Sequence, residues 1–515
     1  MMKNLLALMS ILFVQFTHVI HAQTIILGKE IDEKKLASSA RLANYKMNTK
    51  LKYVQQSRFS LNNDLSISLF DGQILHAKYI TQKQNGLSTP TYQYKIEGDE
   101  EGLVFFTDYE NWLDGFIVMG TGERFHITKT ADQIYSVSKI NNDYYKDEER
   151  SIDTFEEKSN FLDKNRPSHP SVCTSSPCPN SVVDIMVLFS NQTIADVNGG
   201  TPAAISATLT QVGVLNQSLQ DSGINNLTFN LIHAQAIDHN DMTDLDDDMG
   251  AIKTGYLSTY VSGLRNQYGA DLVSIFCNHG TGVGSNNLNP TSFNSNSAYS
   301  AINYNYVMNN YSLSHELGHN MGMRHEWYLY QDDLDYGAKP CEHHHGYSNK
   351  VAIEQGTASA QNKRWRTIMS YGNECEAVGI SCPRLNRWSN PSLMYNGDAM
   401  GVPIGSFQPS DERYALMRTG CIVAGFRTAP ASVLNTQNTQ EVSNVFSYYP
   451  NPAKNKLFLS KEIKGYNIYN VEGRYINGSN EKAKEINILY LPKGVYIINT
   501  TLFDNTKYSF KFIKE

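Results

Sequence analysis

Through much of the first third of the chain, apolar and polar residues alternate with a period of two. Leu65-Ser66-Ile67-Ser68-Leu69-Phe70 and Arg124-Phe125-His126-Ile127-Thr128 are the clearest runs, each placing its apolar members on one face of a half-buried strand. Asp71-Gly72 and Asp114-Gly115 are predicted to turn the chain between strands. Only the opening, Glu30 to Leu51, reads as polar and partly helical. The pattern then changes. Val182 to Phe189 is a buried-strand run, followed by a helical stretch (Pro202 to Leu219), a strand (Leu227 to His233), a helix (Gly250 to Tyr268) and a second apolar strand from Asp271 to Phe276. Strands alternating with helices predict an α/β layer. Ile302, Tyr304 and Tyr306 alternate with Asn303 and Asn305 as an edge strand would. Gly280 to Gly284 lacks the lysine and spacing of a phosphate loop and is read as a bulge or loop above a cleft. A last helix is predicted from Asp411 to Phe426, and short alternating strands run from Phe446 to Lys514.

Punctuation divides the 515 residues into five stretches. Residues 1–22 read as a secretory signal, with Lys3, the apolar run Leu5 to Val14, and Ile20-His21-Ala22 before a cleavage point. No later segment approaches the roughly 18 apolar residues of a spanning helix, so no membrane span is expected. Residues 23–180 combine the β-rich region with a linker from 146 to 180, which carries a charged run (Lys146 to Arg150) and Pro167, Pro170, Pro177 and Pro179. Such composition is readily cut. The β-rich region is most simply a propeptide, with an independent binding module as the alternative. Residues 181–428 form the α/β domain, 429–444 a second linker rich in Ala, Thr, Gln and Asn, and 445–515 a small all-β sandwich.

A net charge of −7 argues against nucleic acid as a partner. Seven cysteines in an exported chain predict disulfides with one thiol left over. Cys375 and Cys382 are close enough to pair or to share a loop with Cys341. Cys173 has two readings. It can pair locally with Cys178, or a cut between the two can leave it alone to occupy an open metal position.

The chemistry concentrates in His315-Glu316-Leu317-Gly318-His319-Asn320-Met321-Gly322-Met323-Arg324-His325. On a helix, positions i and i+4 share a face, so His315 and His319 can address one metal ion. Gly322 can take a left-handed conformation that ends the helix and returns His325 as a third ligand. Three protein ligands and one open position describe a catalytic zinc site. Glu316 stands beside the first ligand, where its carboxylate reaches a metal-bound water and serves as general base.

This pattern resembles the metzincin clan of zinc endopeptidases, and the order of elements with Tyr268-Gly269-Ala270-Asp271-Leu272-Val273 looks like its reprolysin-type members. The resemblance implies a twisted mixed sheet, a zinc helix and a methionine turn. Thr367-Ile368-Met369-Ser370-Tyr371 fits that turn, with Met369 as the apolar floor under the imidazoles and Tyr371 as a second catalytic residue that stabilises the oxyanion. Glu326 departs from the aspartate usual at this position in reprolysins. Trp388-Ser389-Asn390-Pro391 resembles a segment of the bacterial members. The implied activity is secreted, zinc-dependent hydrolysis of peptide bonds in proteins. A toxin-like zincin acting on one host protein and a non-catalytic adhesin that kept the zinc fold are the alternatives.

In the last stretch, Tyr449-Pro450-Asn451-Pro452, Gly473-Arg474 and Leu491-Pro492-Lys493-Gly494-Val495-Tyr496 resemble the C-terminal sorting domain of type IX secretion. That implies an outer-membrane secretion machinery as partner. Asp241 to Asp248 and Asp332, Asp333 and Asp335 invite a calcium ion, although a solvated face is the plainer reading, and His343-His344-His345 reads as a polar loop.

Overall fold

A computed structural model describes residues 29–37, 48–56, 59–142, 173, 175–285, 295–427, 448–449, 452–470, 474–503 and 507–515. The predicted signal segment, most of the first linker and the second linker lie outside these residues. The chain divides into two compact units, Met1–Leu434 and Asn435–Glu515.

The first unit opens with a nine-stranded antiparallel sheet. Its strands are β1 (Lys29–Ile31), β2 (Asn48–Gln55), β3 (Leu65–Ser68), β4 (Ile74–Gln84), β5 (Pro90–Ile96), β6 (Leu103–Tyr109), β7 (Trp112–Val118), β8 (Arg124–Ala131) and β9 (Ile134–Ile140). Val54, Ile67, Val104, Ile117, Ile127 and Val137 fill one buried face. Asp71 and Gly72 both take positive φ (56° and 77°) at the β3–β4 hairpin, where such turns need it. One expectation fails: Asp114-Gly115 lies inside β7, where a Cβ on Gly115 would stand 2.2 Å from the Phe106 ring, and the turn falls at Glu110-Asn111 instead. The described residues of the polar, partly helical opening form β1, the start of β2 and a single turn of 3₁₀ helix at Glu33–Lys35, and residues 38–47 lie outside the described residues.

The α/β layer follows as β10 (Ser181–Phe189), α1 (Asn191–Asp196), α2 (Gly200–Asp221), β11 (Leu227–Ala236), α3 (Leu245–Lys253), α4 (Ser258–Tyr268), β12 (Leu272–Cys277), β13 (Gly282–Gly284), β14 (Tyr299–Asn303), α5 (Tyr304–Asn310) and α6 (Ser312–Asn320). Sheet order is β11-β10-β12-β14-β13, parallel except for β13. The expected single helix from 250 to 268 is two, α3 and α4. The expected edge strand through Tyr306 is also corrected. Asn303 accepts the Asn305 N–H (2.9 Å) and caps α5, ending the strand there, while β14 lies inside the sheet. The antiparallel edge is the glycine stretch β13.

Helix α2 is buried along most of its length. One side joins the α/β core through Leu209, Val212, Leu215 and Leu219. The other meets the nine-stranded sheet: Ser206 Oγ donates to Thr107 O (3.1 Å), Gln93 Nε2 to Gln217 Oε1 (2.7 Å) and Asn216 Nδ2 to Asn85 Oδ1 (3.0 Å). Tyr311, between α5 and α6, has φ +60°. Its ring is edge-on to Phe116, beneath the Arg124 guanidinium.

Three disulfides join Cys173 to Cys341, Cys178 to Cys421 and Cys375 to Cys382. Both readings of Cys173, the local pair and the free switch thiol, are therefore overturned. Cys277 is the leftover thiol, and it is buried.

The second unit is all-β. Its strand Lys456–Asn470 pairs with Tyr448–Tyr449, Tyr475–Ser479, Ala483–Asn487 and Gly494–Leu502, and the last of these pairs with Lys507–Lys514. Leu457, Ile468, Ile486, Ile498 and Phe512 form its core.

Candidate metal and active site

The structure brings His315, His319 and His325 together. His315 and His319 leave one face of α6, a helical turn apart. Gly322 (φ +91°) then reverses the chain so that His325 comes back over that face. His325 Nε2 lies 3.2 Å from His315 Nε2 and 3.1 Å from His319 Nε2. The opposite ring nitrogens fix the tautomers: His315 Nδ1 donates to Ile368 O (2.9 Å) and His319 Nδ1 to Met323 O (3.0 Å). Both Nε2 atoms thus present lone pairs to His325. Burial, reinforced by the facing His319 and His315, holds the His325 imidazole well below its ordinary pKa, so it is neutral. A neutral His325 can donate from Nε2 to only one of its two neighbours. A cation shared by all three satisfies every lone pair, and ligands of a tetrahedral zinc stand roughly 3.3 Å apart. The donor set fits zinc.

The surrounding residues hold this cluster from several directions. Gly318 lies over Met369, where a Cβ would stand 2.5 Å from Sδ and 3.0 Å from the Trp388 ring. Met369 is therefore seated beneath α6 and is fully buried. Glu326 Oε2 accepts the backbone N–H of Tyr371 (2.7 Å), tying the residue after the third histidine to the methionine turn. The Tyr371 ring lies 4.0 Å from that of His325, centroid to centroid.

Glu316 is nearly inaccessible, and β13 lies directly against it. A Cβ on Gly282 would come within 2.4 Å of Glu316 Oε1, and one on Gly284 within 2.9 Å of Oε2. The glycines are there for space rather than for unusual φ. Sequence reasoning saw the glycines but not what they face.

His343-His344-His345 is not a polar loop: all three rings are buried. His344 Nδ1 bonds Gly322 O (3.0 Å), and His345 Nδ1 bonds His325 O (2.5 Å), backing the turn that carries the third ligand. Burial, helped by Arg418, pushes His343 down to about 4. Asp332, Asp333 and Asp335 are exposed and do not gather into ligand geometry among the described residues, so the calcium reading finds no support there.

The family model for metallo-peptidase family M12, reprolysin type, matches residues 179–389. These residues form an M12 metallopeptidase domain. The model for the secretion system C-terminal sorting domain matches residues 447–515, the all-β unit. Peptidyl-Asp metalloendopeptidase of Stenotrophomonas maltophilia is 25% identical over 268 residues, covering 50% of this chain and 56% of that protein. Its namesake in Pseudomonas aeruginosa is 29% identical over 282 residues (52% and 43%). That of Pseudomonas fragi is 34% identical over 117 residues (23% and 59%). The chain thus spans about half the length of the curated relatives it matches. The histidine cluster, Glu316 and the methionine turn all lie inside the M12 domain.

Proposed function

We propose that the chain is a secreted zinc-dependent endopeptidase. The observation that carries this reading is the convergence of three Nε2 atoms, two of them on rings whose Nδ1 is bonded to a backbone carbonyl, with Glu316 on the same helix and held against β13. His315, His319 and His325 would hold the ion. When bound, zinc would polarise the scissile carbonyl and lower the pKa of a water towards ~7.

The rest falls to the protein's own groups. The Glu316 carboxylate, confined by Gly282 and Gly284, takes the proton of the attacking water and passes it to the leaving amine. The Tyr371 hydroxyl, on a ring packed against His325, stabilises the oxyanion. A carboxylate with two glycines making room for it weighs against an adhesin that merely kept the fold, because zinc binding alone does not need Glu316. Strand β13, as the sheet edge, aligns extended substrate by main-chain hydrogen bonds. The relatives' shared name makes cleavage beside aspartate the first preference to test.

We further read residues 23–180 as a propeptide with its linker, and 445–515 as the signal that carries the protein across an outer membrane to the outside or the cell surface. Mature protein incubated with a mixed peptide library, with and without a zinc chelator, tests the activity by mass spectrometry of the products. Chelator-sensitive internal cleavage is expected. Products limited to terminal residues, or no cleavage at all, would overturn the reading.

A further inference from the structure

A second cluster of metal-ligating side chains lies away from the three histidines. It is assembled from the segment after β11, from α3 and from the end of β12. His239 Nε2, an Asp248 carboxylate oxygen and Cys277 Sγ all lie within 4.8 Å of one another, and all three residues are buried. We propose that His239, Asp248 and Cys277 bind a second transition-metal ion, with zinc the best match, and that this ion locks the turn leading into the edge strand β13.

The donor set is the first argument. One imidazole nitrogen, one carboxylate and one thiol are the ligands of a borderline-soft ion; calcium takes oxygen alone. Donors around one zinc stand roughly 3.3 Å apart, so atoms already within 4.8 Å need only side-chain adjustments. A third grouping, Cys341 with His343 and His344, offers no such thiol, because its sulfur is in the disulfide to Cys173.

The second argument is the set of groups behind these donors. His239 Nδ1 bonds the Tyr256 hydroxyl (2.6 Å), which turns Nε2 towards Asp248. Asp248 is contacted on both oxygens, by His239 Nε2 (2.6 Å) and His279 Nε2 (2.7 Å), and accepts the Met242 N–H (3.0 Å). Such outer partners are what orient metal ligands. Asp241 offers a fourth donor. Its Oδ2 accepts the Asn278 N–H (2.7 Å), while Oδ1 is buried without a hydrogen-bond partner.

The thiol itself is the third argument. In a chain whose other six cysteines pair, Cys277 stays single and faces the charges of Asp248 and Asp241. On binding a divalent ion the thiol proton leaves to solvent and the thiolate becomes a ligand. The position gives the ion a role. Residues 278–281 join Cys277 to β13, and Asn303 Nδ2 already holds Gly280 O (2.9 Å). Fixing Cys277 from the other side would set where β13 meets Glu316.

Metal counting on the purified full chain tests this. Wild type should hold two zinc ions per chain, and both Cys277→Ser and His319→Ala should hold one. Replacing zinc with cobalt separates the two sites optically, because only Cys277 can give a sulfur-to-cobalt charge-transfer band. That band should be present in wild type and in His319→Ala, and absent in Cys277→Ser. One zinc in wild type that disappears in His319→Ala, two in Cys277→Ser, or a cobalt-loaded wild type without the band would each overturn the proposal. Should Cys277→Ser fail to fold, the wild-type count and band decide it alone. One zinc in wild type that persists in His319→Ala, with the band present, would count against the three-histidine reading and leave this one standing.

Discussion

Adding one methyl group at Gly282 should disable the protein without unfolding it. In Gly282→Ala the new Cβ would lie 2.4 Å from Glu316 Oε1 and 3.1 Å from Cδ. Ordinary carbon–oxygen contact needs about 3.3 Å, so the carboxylate must retreat by roughly 1 Å. The atom in the way is the end of a flexible side chain, so the fold yields cheaply there and stability should change little. Catalysis should not be spared, since a misplacement of about 1 Å costs on the order of 10²-fold in rate. The assay is kcat/KM on a protein substrate, with zinc content and thermal midpoint measured on the same preparation. The expected result is a fall of about 10²-fold with zinc retained. Gly263→Ala, on α4 with nothing within 4 Å of its Cβ, is the control and should be neutral or slightly stabilising. Full activity in Gly282→Ala would refute the argument that β13 confines Glu316. A loss of activity accompanied by loss of zinc would refute the view that the effect is confined to the carboxylate.

Further outcomes follow from the same geometry. Glu316→Gln should lose ~10²–10⁴-fold in hydrolysis while keeping its zinc, whereas His319→Ala should lose metal and activity together; elemental analysis beside a proteolysis assay separates them. Burial raises the Glu412 carboxyl from 4.5 to about 8, against the hydrogen bond that Oε2 accepts from the Ser389 N–H (2.8 Å). Between those values the folded chain keeps a proton that the unfolded chain has lost, so stability should fall as pH rises from about 4.5 to about 8. Glu412→Gln should flatten that slope in denaturant titrations; an unchanged slope would remove Glu412 as its source. A chain ending at Ala429 should stay active when refolded but should not reach the outside of its native cell, and normal export would remove the sorting role of the C-terminal unit.

The three histidines were legible because they fall within eleven consecutive residues, where helix periodicity and one glycine decide their geometry. Period-two runs such as Arg124 to Thr128 were legible for the same local reason. What escaped depends on contacts between distant segments. Tyr304 and Tyr306 alternate like strand residues, but Asn303 caps a helix there, and the order of β12, β14 and β13 decides which strand is the edge. The disulfides of Cys173 and Cys178 span 168 and 243 residues, beyond anything spacing can indicate. Asp241 to Asp248 looks solvated as a string, and three of its members are exposed. Asp248 is fully buried and meets histidines that lie 9 residues before it and 31 after it.

The seam between α2 and the nine-stranded sheet has a consequence for how the two could part. Much of it is hydroxyl and amide pairing, as between Ser206 and Thr107, Gln217 and Gln93, and Asn216 and Asn85. Groups of that kind trade a protein partner for water at a net cost of only about 1 kcal/mol each. Separation would therefore bare a wettable helix. Among the apolar contacts is a small knot where Phe105 and Phe116 of the sheet meet Val214, Tyr306 and Tyr311. Since Tyr311 immediately precedes the helix that carries His315 and His319, its ring is a built-in gauge: its fluorescence or aromatic proton shifts would report whether the sheet is docked, one residue from the start of that helix.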